Sequence, residues 1–283
     1  MYNNNIKIIG GGFLSNHLFE YLKNKKINCK IIDRAKCDLS NNKDIKKLKK
    51  NIKKNDTIIF IAAKAPAKNI SDYNYNLSLC LNFLKIIRKD SFKHFYYISS
   101  DAVYSDSKKK LNEASFSLPN SIHGYMHLTR ELIFAQHFKN KFSIFRPTLL
   151  FGLNDPHNGY GPNRFLREIL NKKKVTLFGK GEELRDHIHV KHAAELIAIL
   201  IINNFSGTMN ICSGKVISFY NFAKKLFRIN NKKIKIVFKK RLMPMPHNGY
   251  RAFDNSRLKM KTENSFDFKN IYENGIKLMK QNK

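Results

Sequence analysis

The most explicit chemistry in this chain lies in its first glycines and in one aspartate. In Ile6-Lys-Ile-Ile-Gly10-Gly11-Gly12-Phe13-Leu14-Ser15, an Ile-rich run meets a glycine turn, and Phe13, His17, Leu18 and Tyr21 then recur at helical spacing. Gly10 would permit the turn and Gly12 would let the backbone approach a diphosphate. The first helical residues, Phe13 and Leu14, would present unpaired N–H groups that favour an anion. A third glycine would allow close helix–strand packing, but that place holds Ser15. Lys30-Ile-Ile-Asp33 reads as a second strand ending in an acid at the distance expected of a ribose-binding carboxylate. Such an Asp accepts bonds from the adenosine ribose hydroxyls and repels a 2′-phosphate, which favours NAD. The adjacent Arg34 works the other way and keeps NADP as the alternative.

These groups need elements to position them. Asp56-Thr-Ile-Ile-Phe-Ile61-Ala62-Ala63 is a third apolar strand whose small end residues let a ligand lie against it. The spacing of Leu77, Cys80, Leu81, Leu84 and Ile87 predicts a helix over 73–88, and a fourth strand runs from His94 to Ser99. A helix over 121–137 and a strand from Phe142 to Arg146 follow. The segment Leu153–Lys174, rich in Gly, Asn and Pro, reads as a long loop or the start of a smaller lobe. Strands at 175–178 and 208–211 and helices at 192–203 and near 271–279 complete that lobe. Alternating strands and helices imply an α/β fold, a Rossmann-type doubly wound parallel sheet with a smaller C-terminal substrate-binding lobe. Ligands bind outside the carboxyl ends of such strands, where Gly10, Asp33, Ala62 and Ser100 would converge. The expected domains are 1–152 for the dinucleotide and 153–283 for the substrate, with segments of the second returning to the first.

The chain has 283 residues, and its 42% hydrophobic and 12% aromatic content is that of a globular protein, not a disordered one. No apolar run approaches the roughly 20 residues that span a bilayer, and no leader peptide is read before the first strand, so the chain is expected to start at Met1 and to be cytoplasmic, with no membrane partner. Fifty-three Lys and Arg against 21 Asp and Glu give +32. Lysine is spread along the sequence with Asn and Ile, as an AT-rich genome would produce, and no nucleic-acid signature accompanies it, so no specific nucleic-acid role is expected. Cys29, Cys37, Cys80 and Cys212 are scattered and read as reduced thiols, and neither they nor the ten histidines show metal-site spacing.

Tyr97-Ile-Ser-Ser100-Asp101-Ala-Val-Tyr104 followed by Tyr125 adds a pair of hydroxyls. With the glycine turn, Asp33, Asp38-Leu39, Ala62-Ala63, Arg146-Pro147, Phe178-Gly-Lys-Gly181, Arg185-Asp-x-Ile-His-Val190 and Asn210-Ile-x-Ser-Gly214, the chain resembles the extended short-chain dehydrogenase/reductases that modify nucleotide sugars: epimerases, dehydratases and reductases. The resemblance covers nearly the whole sequence. It implies an NAD(P)-dependent enzyme of polysaccharide biosynthesis, a nucleotide-sugar substrate and a homodimer built on the helices near 74–88 and 121–137. It also implies Ser100 and Tyr125 as catalytic hydroxyls, with Asp38, Leu39, Ala62, Ala63 and Pro147 at the cofactor and Asp101 and Arg185 at the substrate.

One position departs from that family. Its Tyr-x-x-x-Lys pattern sets lysine on the tyrosine's face of a helix, where it can hold the nicotinamide ribose and lower the phenol pKa; here the place is Thr129, short and uncharged. Reduction of a keto sugar, which asks the phenol only to donate, suffers less from this loss than oxidation does. A 4-keto-sugar reductase direction is therefore favoured, and Ala102, where the dehydratases carry a carboxylate, points the same way. The alternative is a protein that keeps the cofactor pocket and has lost turnover.

Overall fold

The structure is a computed structural model and describes residues 5–157, 159–172, 174–230 and 235–280. Met1, the expected start, lies outside the described residues. The chain forms β1 (Ile6–Ile9), α1 (Phe13–Asn24), β2 (Cys29–Ile32), α2 (Asn42–Asn51), β3 (Thr57–Phe60), α3 (Ile70–Leu84), β4 (His94–Ile98), α4 (Ile122–Phe138) and β5 (Phe142–Pro147). There follow β6 (Leu149–Phe151), α5 (Pro162–Lys172), β7 (Lys174–Phe178), β8 (Leu184–His189), α6 (Val190–Ile202), β9 (Gly207–Ile211) and β10 (Val216–Ser218). The described chain ends with α7 (Phe219–Asn230), β11 (Lys235–Lys239), β12 (Tyr250–Arg251), α8 (Ser256–Thr262) and α9 (Ile271–Lys277). Two compact units result. The first comprises residues up to Ser105, Ser115–Pro147 and Ala194–Asn210; the second comprises Asp106–Ala114, Thr148–Ala193 and the residues from Ile211 onward.

The first unit is built on a six-stranded sheet in the order β2-β1-β3-β4-β5-β9, the α/β arrangement expected from the alternation of strands and helices. Neighbours from β2 to β5 run parallel, with Ile8 opposite Ile31 on one side and Ile59 on the other. Strands covered on both faces must be apolar throughout, which is why β3 reads Thr-Ile-Ile-Phe with every residue buried. On one face the core is largely aromatic. Phe60, Phe83, Phe95, Phe134 and Phe138 are fully buried, and the Phe95 ring centre lies 4.4 Å from Phe138 and 4.8 Å from Phe134. Side-chain caps set the helix starts: Asn69 accepts from Asp72 N–H, and Ser121 from Gly124 N–H. The cap at Asn69 starts α3 three residues earlier than its apolar spacing suggested, and the helix ends at Leu84.

The second unit has β8 at its centre, antiparallel to β10 and parallel to β6 and β12, and contains a separate parallel β7–β11 pair. Of the two readings of 153–174, a long loop or the start of a smaller lobe, the loop needs correction: the stretch contains α5, with Pro162 at the first helical position, where its missing N–H costs nothing. Phe165, Leu166 and Ile169 of that helix are buried against Phe219, Phe222 and Leu226 of α7, an element the sequence did not announce. Among the described residues no helix is long and apolar enough to cross a membrane, and no metal-holding cluster occurs.

Candidate functional site

The glycine turn joins β1 to α1. Gly10 donates to the Ile32 carbonyl at 2.8 Å, while Ile61 and Ala62 N–H groups both reach the Ile9 carbonyl at 2.9 Å, tying the ends of β1, β2 and β3 together. Gly10 has φ +110, and a Cβ there would lie 2.6 Å from the Ala62 backbone; a Cβ on Gly11 would lie 2.8 Å from that of Asp33. At Gly12, φ +153, nothing lies within 4 Å of such an atom. Gly12 starts α1 without a side-chain cap, and the first turn has no acid. The result is an open cradle of N–H groups at a helix start, a place that favours an anion. Ser15, in the place of the third glycine, is buried and donates to the Gly12 carbonyl at 3.1 Å, so its hydroxyl steadies the turn. The Leu14 side chain is buried and that of Phe13 half-buried, which leaves backbone groups for a ligand.

Asp33 follows β2 at the same edge. Its carboxylate accepts from the Lys36 N–H at 3.0 Å and pairs with Lys36 Nζ at 3.3 Å. The backbone bond, then the charge, holds its pKa below the usual carboxylate range. Arg34 turns towards Asp38, Nε to Oδ2 3.1 Å, while Asp38 also accepts from Ser40 Oγ at 2.6 Å and lies beside buried Leu39. The sequence reading missed Lys36, a second cation at this edge whose only signal was its position three residues after the acid. Ala62 is half-buried, and Ala63 is exposed at the end of β3. The loop beyond them is held by Asn76, which is fully buried, accepts from Lys64 N–H at 2.8 Å and donates to the Lys64 carbonyl at 2.9 Å. At the end of β5, Pro147 is buried, and Arg146 forms a buried two-point pair with Glu131, 2.9 and 2.5 Å, its guanidinium 4.7 Å from the Tyr104 ring centre. That pair fixes α4 to β5.

Ser100 lies just beyond β4, half-buried, and its Oγ caps the single-turn helix Asp101–Val103 by accepting from Ala102 N–H at 3.2 Å; it also lies 3.4 Å from Asp101 Oδ1. Helix α4 is set against this corner by Gly124, where a Cβ would stand 2.2 Å from the Ala102 carbonyl oxygen. In that setting Tyr125 is 46% exposed, and Thr129 Oγ1 lies 3.0 Å from Tyr73 OH on α3. The face turned to the sheet carries His123, His127, Arg130 and Phe134. His123 Nδ1 accepts from Ala67 N–H at 3.3 Å, and its ring meets that of His127 edge-on, 4.7 Å between centres. His127 Nδ1 lies 2.7 Å from Tyr97 OH. Burial above all drives the His127 pKa well below the ordinary imidazole range, so this ring is neutral. Arg130 is buried between the Phe60 and Tyr97 rings and donates to the Ala62 carbonyl at 2.7 Å. The sequence reading did not single out His123 and His127, although their spacing of four puts them on one helix face.

In the second unit Arg185 lies on β8, buried, donating to the Pro246 carbonyl at 2.6 Å with Glu183 at 3.9 Å. Next to it, buried Asp186 accepts from Ser213 Oγ at 2.8 Å and Gly214 N–H at 2.8 Å, which explains the Ser-Gly pair after β9.

This architecture has known counterparts. A UDP-glucose 4-epimerase of Thermus thermophilus, solved with NAD, superposes at TM-score 0.83 with 19% identity, covering 97% of each chain. A GDP-L-fucose synthetase of Naegleria fowleri bound to NADP gives TM-score 0.82 at 16% identity, covering 99% of this chain and 92% of the other. By sequence, a dTDP-D-glucose 4,6-dehydratase of Dictyostelium discoideum is 26% identical over 78% of this chain. The chain spans about three fifths of the length of the curated relatives it matches, 61% and 56%. Residues 6–212, which include the glycine turn, Asp33, the β4 corner and α4, match the profile of one family, and the chain belongs to it: the NAD dependent epimerase/dehydratase family.

Proposed function

We propose that the protein is an NAD(P)-dependent oxidoreductase or epimerase that acts on a nucleotide-linked sugar through a keto-sugar step, with reduction at C4 the favoured direction. The observation that carries the reading is the open cradle at Gly12, formed where Gly10 touches Ala62 and with Asp33 at its rim. Gly10, Gly12 and the N–H groups of Phe13 and Leu14 would hold the diphosphate and Asp33 the adenosine ribose, with Ala62, Ala63 and Pro147 along the bound dinucleotide. When bound, the nicotinamide accepts a hydride from the sugar carbon or returns one. The protein's own task is then to hold the sugar oxygen at the end of β4, where Ser100 and Asp101 stand, and to govern its proton. Lys36 and Arg34 beside Asp33 offer charge to a 2′-phosphate, so NADP competes with NAD at this rim. Arg185, buried on β8, is assigned to the substrate's diphosphate.

Titration with NADH and NADPH, followed by incubation with UDP-glucose, UDP-N-acetylglucosamine, dTDP-glucose and GDP-linked keto sugars, tests the reading. Binding of one cofactor at micromolar concentration and conversion of one sugar are expected. No binding at millimolar concentration would remove it, and binding without any conversion would favour the second reading, a cofactor-binding protein without turnover, which Thr129 motivates.

We also propose a homodimer built on α3 and α4. Leu81 is 45%, Tyr125 46% and Leu132 64% exposed on these two helices, a set of apolar side chains that a second copy would cover.

A further inference from the structure

We propose that the sugar oxygen undergoing reaction is met by the Nε2–H of His123, and that the phenol of Tyr125 takes no part. The proposal rests on the reading above as a nucleotide-sugar oxidoreductase and assigns a residue within it.

Helix geometry forces a choice between the two side chains. At about 100° per residue, positions two apart on a helix point to nearly opposite sides. The turn that shows residue 123 to the strand ends must therefore turn residue 125 away. Gly124 decides which it is. Its Cα rests so close to the Ala102 carbonyl that no side chain fits, and this contact fixes the first turn of α4 against the corner that Ser100 caps. With that register, His123 is half-buried and its Nδ1 is held by Ala67 N–H, in the loop that follows Ala62 and Ala63. The ring thus lies between the loops leaving β3 and β4, at the carboxyl ends of the central strands, where ligands of such sheets bind. Tyr125 is nearly half exposed on the other side, and Thr129, one turn on, is bonded to Tyr73.

The bond to Nδ1 also sets the chemistry. An imidazole nitrogen that accepts a bond from a backbone N–H keeps its lone pair there, so the neutral ring carries its proton on Nε2. Such a ring is a hydrogen-bond donor towards an oxygen that gains negative charge as its carbon exchanges a hydride, a role for which a fixed neutral donor serves well. The neighbours hold it in place. His127, one turn along, meets the His123 ring edge-on and is itself anchored at 2.7 Å to Tyr97 OH, fully buried on β4. Arg130, one further turn along, ties the same face to the Ala62 carbonyl. His127, Tyr97 and Arg130 are positioning residues for the ring.

The test compares wild type with His123→Ala, His123→Gln and Tyr125→Phe, reading NADH fluorescence on binding, turnover of the nucleotide-sugar panel, and 15N spectra of histidine-labelled protein. His123→Ala is expected to lose at least about a hundredfold in kcat while binding NADH within about threefold of wild type, which also shows that it folds. His123→Gln, whose amide can still donate, should retain more turnover than His123→Ala, and Tyr125→Phe should stay within about threefold. The His123 signals should report the Nε2–H tautomer, with the Nε2 resonance moving when UDP-glucose and NAD are added. Full turnover in His123→Ala, a loss in Tyr125→Phe as deep as that expected for His123→Ala, or an Nδ1–H tautomer would overturn the proposal and leave the nucleotide-sugar reading standing. Failure of wild type to bind either cofactor would end both. Should wild type bind cofactor but convert none of the sugars, the tautomer and its response to UDP-glucose with NAD decide the matter alone.

Discussion

At the level of single residues, two glycines in one turn do different work, and substitution separates them. Gly10 combines a left-handed φ with contact to the Ala62 backbone, so Gly10→Ala meets both backbone strain and a clash with atoms that cannot swing aside. A loss of about 2–5 kcal/mol in urea unfolding is expected. Gly12→Ala meets open space, so only backbone strain of about 1–3 kcal/mol remains while the added methyl occupies the cradle. That variant should fold and lose at least tenfold in NADH affinity; equal affinity would remove Gly12 from the proposed cofactor site. A buried histidine gives a second test. His187 lies on β8 between the Phe219 and Phe222 rings, and burial, then the charge of Arg185, pushes its pKa down to about 3. Since the folded value is below the unfolded one, the neutral ring's stability is complete above about pH 6.5 and is lost as pH falls from there towards 3. By pH 5 the loss should be about 2 kcal/mol. His187→Leu cannot be protonated and should show a flatter acid limb in urea unfolding; parallel limbs would show that His187 does not carry this dependence.

Helix α4 is the element on which the site turns. Its buried face meets β4 through Phe134 and Phe138, it is pinned to β5 by Glu131 and Arg146, and it is seated on the β4 corner by Gly124. Gly124→Ala should therefore do more than a surface Gly-to-Ala change in a helix, which would stabilise. A methyl aimed at the Ala102 carbonyl must push the first turn outward, at an expected cost of about 1–3 kcal/mol, and carry His123 away from Ala67. Unfolding free energy checks the first effect and the 15N signal of His123 the second; an unperturbed signal would mean that the contact does not set the register. The same helix shows what the sequence made legible. The glycine turn, Asp33, Ala62 and Ser100 could be read because each follows a short apolar strand in the chain, so a local pattern fixes where it sits. The direction in which α4 faces depends on Gly124 meeting Ala102 and on Glu131 meeting Arg146, contacts between distant segments that periodicity does not contain. Tyr125 therefore stood out for its hydroxyl, although the face meeting the sheet carries two imidazoles. Helices α5 and α7 were obscured in a related way, because the aromatic residues that pack them together lie some fifty positions apart.

For the molecule as a whole, the large positive charge and the proposed pairing of copies pull against one another. Lysine spread along the sequence contributes to a charge of +32, so two copies approaching through α3 and α4 repel each other at long range, and screening by salt should ease their association. Short-range attraction must come from apolar area, to which Leu132, Leu81 and Tyr125 contribute on these helices. A stable contact needs roughly 800 Å² from each partner, more than three side chains provide, so the surrounding helix surfaces must join it. Leu132→Glu sets a carboxylate in the middle of that area without touching the sheet face of α4. Wild type is expected to sediment as a dimer at tens of micromolar, more completely at 0.3 M salt than at 0.03 M. The variant is expected to sediment as a monomer that binds NADH as wild type does, because the proposed cofactor cradle at Gly12 lies on other elements of the sheet. A wild type that stays monomeric at high salt would leave Tyr125 and Leu132 simply exposed, and a dimer indifferent to Leu132→Glu would move the contact to a different surface.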